Sequence, residues 1–91
     1  MANPYKNKIT VERITSAGKN GNVRAYASIK LGSTLTIHGV KVIQQDGQRA
    51  YVRLPDQKSP DGSRYFQVVE SNDQLFMDAV QEKVLQAWIE S

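Results

Sequence analysis

Residues Val23 to Leu31 carry the pattern that most limits what this chain can become. Val23, Ala25, Ala27, Ile29 and Leu31 alternate with Arg24, Tyr26, Ser28 and Lys30. A strand sends successive side chains to opposite faces, so a period of two means that one face buries and the other meets water. The fold must therefore contain a sheet with one dry side and one wet side.

The flanking segments extend that sheet. Ile9 to Thr15 is rich in β-formers and reads as a first strand, and Gly18-Lys19-Asn20-Gly21 follows as a loop with residues tolerant of positive φ. Gly32-Ser33 is a two-residue hairpin candidate. Leu35 to Ile43 continues as a strand whose phase shifts: Leu35 and Ile37 fit one register, Val40 and Val42 the other. Gly39 stands at the shift and predicts a β-bulge. Asp46-Gly47 then signals a hairpin into a fourth strand, in which Ala50, Val52 and Leu54 alternate with Arg49, Tyr51 and Arg53. Residues 55–62 read as a loop ending in the turn Pro60-Asp61-Gly62, and Arg64 to Val69 as a fifth strand.

The pattern changes after that. Ser71 is placed to cap a helix, with Gln74 three residues on completing a capping box and Asp73 suiting the positive end of the helix dipole. Leu75, Phe76, Ala79, Val80, Val84, Ala87 and Trp88 recur at helical spacing and are expected to cover the sheet, while Met77, Leu85 and Ile89 form an adjoining strip. The expected fold class is α+β: an antiparallel, five-stranded, meander-like sheet packed against one C-terminal amphipathic helix. Residues 1–8 read as a flexible N-terminal arm, and residues 9–91 as a single domain. A chain of 91 residues buries only about 64% of its unfolded surface. The second apolar strip on the helix therefore favours a homodimer.

Charge is divided unevenly. Residues 1–64 hold eleven Lys and Arg against four Asp and Glu, a net +7, whereas residues 65–91 hold one Lys against five acids, a net −4. A basic body with an acidic end points to a polyanion-facing surface on the first part alone. Other classes of chemistry find little support. Cysteine is absent, which excludes a disulfide scaffold, thiol catalysis and thiolate zinc sites. His38 is the lone histidine and reads as structural, no set of metal ligands converges, and Asp61 is explained by its turn. No phosphate loop or nucleophile elbow is present. The expectation is a protein that is not an enzyme and takes no cofactor. No apolar run approaches the roughly 18 residues of a membrane span, and the N-terminus lacks a signal-peptide core, so a cytoplasmic protein is expected.

The wet face of the sheet is the informative surface. Arg24, Tyr26, Ser28 and Lys30 share it on the second strand, Arg49, Tyr51 and Arg53 on the fourth, and Lys41 lies between them on the third. Cations neutralise phosphates and release counterions, and tyrosine rings stack on unpaired bases. The same residues also have good β-propensity and pair well across exposed strands. Lys58 and Arg64, at the loop beyond the fourth strand, are placed to grip a backbone. The expected nucleic-acid-binding set is Arg24, Tyr26, Lys30, Lys41, Arg49, Tyr51, Arg53, Lys58 and Arg64.

Several of these segments occur together in a known family. Over about residues 8–85 the chain resembles the SpoVG family (stage V sporulation protein G, the septation regulator). The resemblance is carried by Val11-Glu12-Arg13, by the run from Arg24 to Leu31, by Ile37-His38 and by Val40-Lys41-Val42-Ile43. It continues through Leu54-Pro55, Lys58, Ser59-Pro60-Asp61-Gly62 and Asp78-Ala79-Val80. The resemblance implies a small, dimeric bacterial protein of the cytoplasm, a β-sheet with a C-terminal helix, and DNA- and RNA-binding roles linked to septation, sporulation and gene regulation. Two departures stand out. The family's Asp and His-Pro pair after the Pro-Asp-Gly turn are missing, the stretch being Phe66-Gln67-Val68-Val69-Glu70-Ser71. The helix holds Asp73, Asp78, Glu82 and Glu90 against Lys83 alone, so the family's helix cations do not carry over. The combined expectation is a regulator that binds DNA or RNA through a basic sheet and loop surface. The alternative is a protein–protein adaptor in division or sporulation.

Overall fold

A computed structural model describes residues 3–18 and 21–91; Lys19 and Asn20 of the first loop lie outside the described residues. Six strands and one helix follow in order: β1 (Ile9–Ser16), β2 (Val23–Leu31), β3 (Leu35–Ile43), β4 (Tyr51–Arg53), β5 (Asp56–Lys58), β6 (Tyr65–Gln67) and α1 (Gln74–Glu90). The first four form an antiparallel meander in the order β1-β2-β3-β4, and β5 and β6 form a separate two-stranded ribbon. The class is α+β as expected, but the sheet has four strands, not five.

The alternation in β2 behaves as its period demands. Ala25, Ala27 and Ile29 are buried, while Tyr26 and Lys30 are exposed on the other side. Ile37, Val40 and Val42 of β3 and Val52 of β4 join the dry face, and α1 lies over it with Phe76, Ala79, Val80 and Val84 buried. The phase shift in β3 is a bulge. Ala27 opposes Val40 and Ile29 opposes Ile37, so His38 and Gly39 together face Ser28. Gly39 takes φ +80°, where a side chain costs roughly 1–2 kcal/mol of backbone energy. His38 accepts or donates a 2.9 Å hydrogen bond with the Ser28 hydroxyl across that bulge.

Four local expectations are corrected. The β2–β3 connection has three residues, Gly32–Thr34, because Leu31 pairs with Leu35 and Thr34 N–H closes on Leu31 O. The β3–β4 connection is longer than a tight hairpin: Gln48 N–H closes the Asp46-Gly47 turn on Gln45 O, and Gln44 Nε2 donates to Gln48 O. Arg49 and Ala50 therefore sit in a loop, and β4 is only Tyr51–Arg53. The fifth strand does not join the sheet. Pro55 has no N–H to donate, so the ladder ends, and its carbonyl instead accepts from Val68 and Val69. The chain then pairs Asp56–Lys58 with Tyr65–Gln67. Three of the eight residues of the expected loop, Asp56–Lys58, are thus a strand, and residues 60–63 are the hairpin tip.

The helix start is also different. Asp73, not Ser71, is the N-cap, its carboxylate accepting from Leu75 N–H, and Gln74 donates to Asp78 instead of completing a capping box. Ser71 Oγ accepts from Asp73 N–H, one step upstream. Leu75 is about half exposed on the flank of the helix, its carbonyl bonded by Asn3 Nδ2. The segment read as an arm has turns over Pro4–Lys8 and meets the helix. The Tyr5 ring packs edge-on against Phe76 at 5.4 Å, and its hydroxyl donates to Asp73 at 2.6 Å. That bond raises the Tyr5 pKa and lowers that of Asp73. No helix among the described residues is long and apolar enough to cross a membrane.

Burial separates two isoleucines that composition treats alike. Ile29 is 0% exposed and Ile89 is 76% exposed. Ile29→Ala should lower unfolding free energy by about 3 kcal/mol, and Ile89→Ala should change it by less than about 0.5 kcal/mol. Urea midpoints at constant slope would measure both, and equal losses would contradict this core.

Candidate nucleic-acid interface

The face of the sheet turned away from α1 gathers most of the expected residues. Direct cross-strand pairing aligns Thr15, Tyr26, Lys41 and Arg53 in one row across all four strands. Directly opposed residues share a face, so this row is a single surface feature. Tyr51 lies two residues from Arg53 on the same side, opposite Ile43, and Lys30 opposes Thr10 and Thr36 toward the other end. Tyr26 and Tyr51 are both exposed.

Acids meet many of these cations. Lys41 Nζ lies 2.7 Å from Asp56 Oδ1, and Arg53 lies 3.5 Å from Asp56 Oδ2. The Asp56 side chain is only 6% exposed, wedged between the two. Arg24 donates through Nε to Gln44 O and reaches Asp46 at 3.2 Å, so it is tied to the β3–β4 loop. Lys30 and Glu12 stand 4.0 Å apart. Arg49, Lys58 and Arg64 have no acidic partner within ion-pair distance among the described residues. Arg49 is in the loop rather than on the strand face, and Lys58 and Arg64 belong to the second ribbon.

That ribbon supplies a residue the sequence pattern did not single out. Tyr65, 61% exposed, has Lys41 Nζ 6.0 Å and Lys58 Nζ 5.8 Å from its ring centroid. Both are near the outer range for cation–π attraction. With Val23, Lys41, Ile43, Arg53 and Asp56 it lines a shallow recess of about 220 Å³ where the ribbon meets the sheet. The signal for Tyr65 was its partner strand: once Asp56–Lys58 is a strand, Tyr65 falls opposite Lys58. A larger, mostly apolar groove of about 570 Å³ opens elsewhere, between Tyr5, Leu31, Leu35, Leu54 and Phe76, and none of the nine expected residues lines it.

The tip of the ribbon is tied by hydrogen bonds. Asp61 accepts from Ser59 Oγ at 2.6 Å, Ser63 Oγ at 2.8 Å and Ser63 N–H at 3.0 Å. These bonds hold the turn between Ser59 and Arg64, which Ser59 N–H closes on Arg64 O at 2.8 Å.

Comparison with known proteins gives a consistent result. The profile of the SpoVG family matches residues 7–90. A protein of Lachnospira eligens named "Putative septation protein SpoVG" is 30% identical over 80 residues, covering 88% of this chain and 89% of its own. A protein of the same name from Archaeoglobus fulgidus is 30% identical over 83 residues, covering 91% of this chain and 95% of its own. One from Lachnoclostridium phytofermentans is 26% identical over 81 residues, covering 89% and 85%.

Asp61 offers a direct check on the tip. The Ser59 hydroxyl, then the Ser63 N–H and hydroxyl, hold its carboxyl down to about 2, from 3.8 in an open chain. The turn's contribution is present above pH 3.8 and is lost as pH falls through about 2. Carboxyl NMR titration should show a midpoint near 2 for Asp61, and a midpoint near 3.8 would mean that the three bonds do not form.

Proposed function

The chain belongs to the SpoVG family, and on that premise we propose that it is a septation-linked cytoplasmic regulator, working as a homodimer that binds single-stranded nucleic acid. The observation that carries the reading is the Tyr26–Lys41–Arg53 row, with the Tyr65 ring beside Lys41 and Lys58 on the same water-facing side. Rings and cations interleave there. Arg49, Lys58 and Arg64 supply charge for phosphates, and Tyr26, Tyr51 and Tyr65 supply flat surfaces for bases. Lys41 and Arg53 hold the ribbon through Asp56, so they shape the surface more than they neutralise a backbone.

A second reading, a protein–protein adaptor in division or sporulation, draws support from the other side of the molecule. The acidic helix exposes Leu75 and Ile89. Capture of a division partner that survives nuclease treatment would favour this reading over the first.

Fluorescence anisotropy with single-stranded DNA and RNA across several salt concentrations tests the main reading. Affinity should fall linearly in log–log form. Lys58→Ala and Arg64→Ala should each reduce the slope by about 0.7, and Tyr65→Ala should weaken binding by about 1–3 kcal/mol. Absent binding at low salt, or affinity flat with salt, would remove the proposal.

A further inference from the structure

The sheet has two edges, and they are finished differently. β4 has three residues, is ended by Pro55, and its Val52 N–H donates to Gln81 Oε1 of the helix at 3.3 Å. A short strand, a proline and a covered donor are the usual means of closing an edge. β1 is eight residues long, and among the described residues its backbone hydrogen bonds run only to β2.

The exposed edge has a definite pattern. Gly32 N–H donates to Lys8 O at one end of β1, and Ala17 N–H donates to Arg24 O at the other. Hydrogen-bonded pairs alternate along an antiparallel ladder. Thr10, Arg13 and Thr15 therefore turn their backbone groups toward β2, while Ile9, Val11, Ile14 and Ser16 turn theirs outward. The register shift between Val11 and Arg13 leaves Glu12 as an extra residue. It places Val11 and Ile14 on the helix side, opposite Ile29 and Ala27, while Arg13 takes the wet side opposite Ser28. Glu12 is also on the wet side, within 4.0 Å of Lys30.

We infer that two copies of this chain pair antiparallel through the outer edges of β1, with the Glu12 bulge on the two-fold axis. The inference rests on the homodimeric reading above and gives that dimer its interface. In this register Val11 opposes Ile14 of the partner subunit, and Ile9 opposes Ser16 of the partner subunit, all four with outward backbone groups. The apolar pair extends the dry layer across the junction. On the wet side Thr10 opposes Thr15 of the partner subunit. Glu12 meets Arg13 of the partner subunit twice, once on each side of the axis. Backbone hydrogen bonding, face and charge are all self-complementary in this one register. A two-fold axis normal to the sheet keeps faces together, so two four-stranded sheets become one of eight strands. Both helices then lie on one side, and both Tyr26–Lys41–Arg53 rows lie on the other.

Because the chain has no cysteine, the register can be trapped without background. Thr10 and Thr15 of opposite copies form a non-hydrogen-bonded pair with Cα atoms roughly 4.5 Å apart, inside the range a disulfide spans. Under mild oxidation the double variant Thr10→Cys/Thr15→Cys should become a reducible covalent dimer, and each single variant should not. Light scattering on the native chain is read alongside. A dimeric mass with no cross-link overturns this interface and leaves the homodimer reading intact; a monomeric mass overturns both. Arg13→Glu, which sets Glu12 against a second acid, should weaken the dimer about tenfold. Adding Glu12→Arg in the same chain should restore it, and failure to restore would also overturn the pairing.

Discussion

One helix can cover only one side of a sheet. The 17 residues of α1 make a rod roughly 25 Å long, enough to roof four strands once. Among the described residues the other side has no protein layer to bury it, apart from the small ribbon at one end. Most outward residues of β2, β3 and β4 must therefore suit water, and long cations and tyrosines suit it while still packing well across strands; Val23 and Ile43 are the exceptions, at the recess beside the ribbon. A polar face thus follows from the element count before any function is considered; its basic sign does not. Function enters through what the face does with its charges.

Asp56 is where fold and binding meet. It sits almost dry between Lys41 and Arg53 and ties the β5–β6 ribbon to the sheet. Without that carboxylate the ribbon would lose its main polar anchor, and Lys41, itself largely covered, would lose its closest partner. With it, two central cations are partly neutralised. Charge free for a polyanion moves outward, to Arg49 on its loop and to Lys58 and Arg64 on the ribbon. The sheet supplies Tyr26 and Tyr51, and the ribbon supplies Tyr65 together with Lys58 and Arg64, which makes the ribbon's placement as important as the sheet's alternation.

Periodicity was enough to recover the second and third strands, the Gly39 bulge and the helix, because each leaves a repeating burial pattern in the residues; the first strand was legible from its β-forming composition. Where a feature depends on a partner, the chain was silent. Asp56-Gln57-Lys58 has no strand composition, and only pairing with Tyr65–Gln67 makes it one. Ser71 and Asp73 are both acceptable caps by type; the Tyr5 hydroxyl, 68 residues away, favours the aspartate. Arg49 has the right parity for a strand face, but the bonds of the Asp46-Gly47 turn keep it out of β4. Six of the nine expected site residues lie on β2, β3 and β4, and the acids Asp46 and Asp56 that meet Arg24, Lys41 and Arg53 could not be read, since they reach them from the β3–β4 loop and from a strand that only pairing reveals.

The helix's acids are less hostile to a polyanion than their number suggests. α1 packs on the buried side of the sheet, so a ligand on the wet face is separated from Asp78, Glu82 and Glu90 by the sheet and the core. Packed layers lie roughly 10 Å apart, so the helix acids are at least that far from a ligand on the wet face. Repulsion through that distance is weak beside direct contacts at the ribbon. Its effect is on direction: the acids Asp78, Glu82 and Glu90 belong to the helix side, while Lys41, Arg53 and Lys58 belong to the sheet and ribbon. The charge division along the sequence is only partly a division across the molecule: the boundary near residue 64 falls between β5 and β6 of the ribbon, and Lys6 of the basic part lies 3.7 Å from Glu82 of the helix.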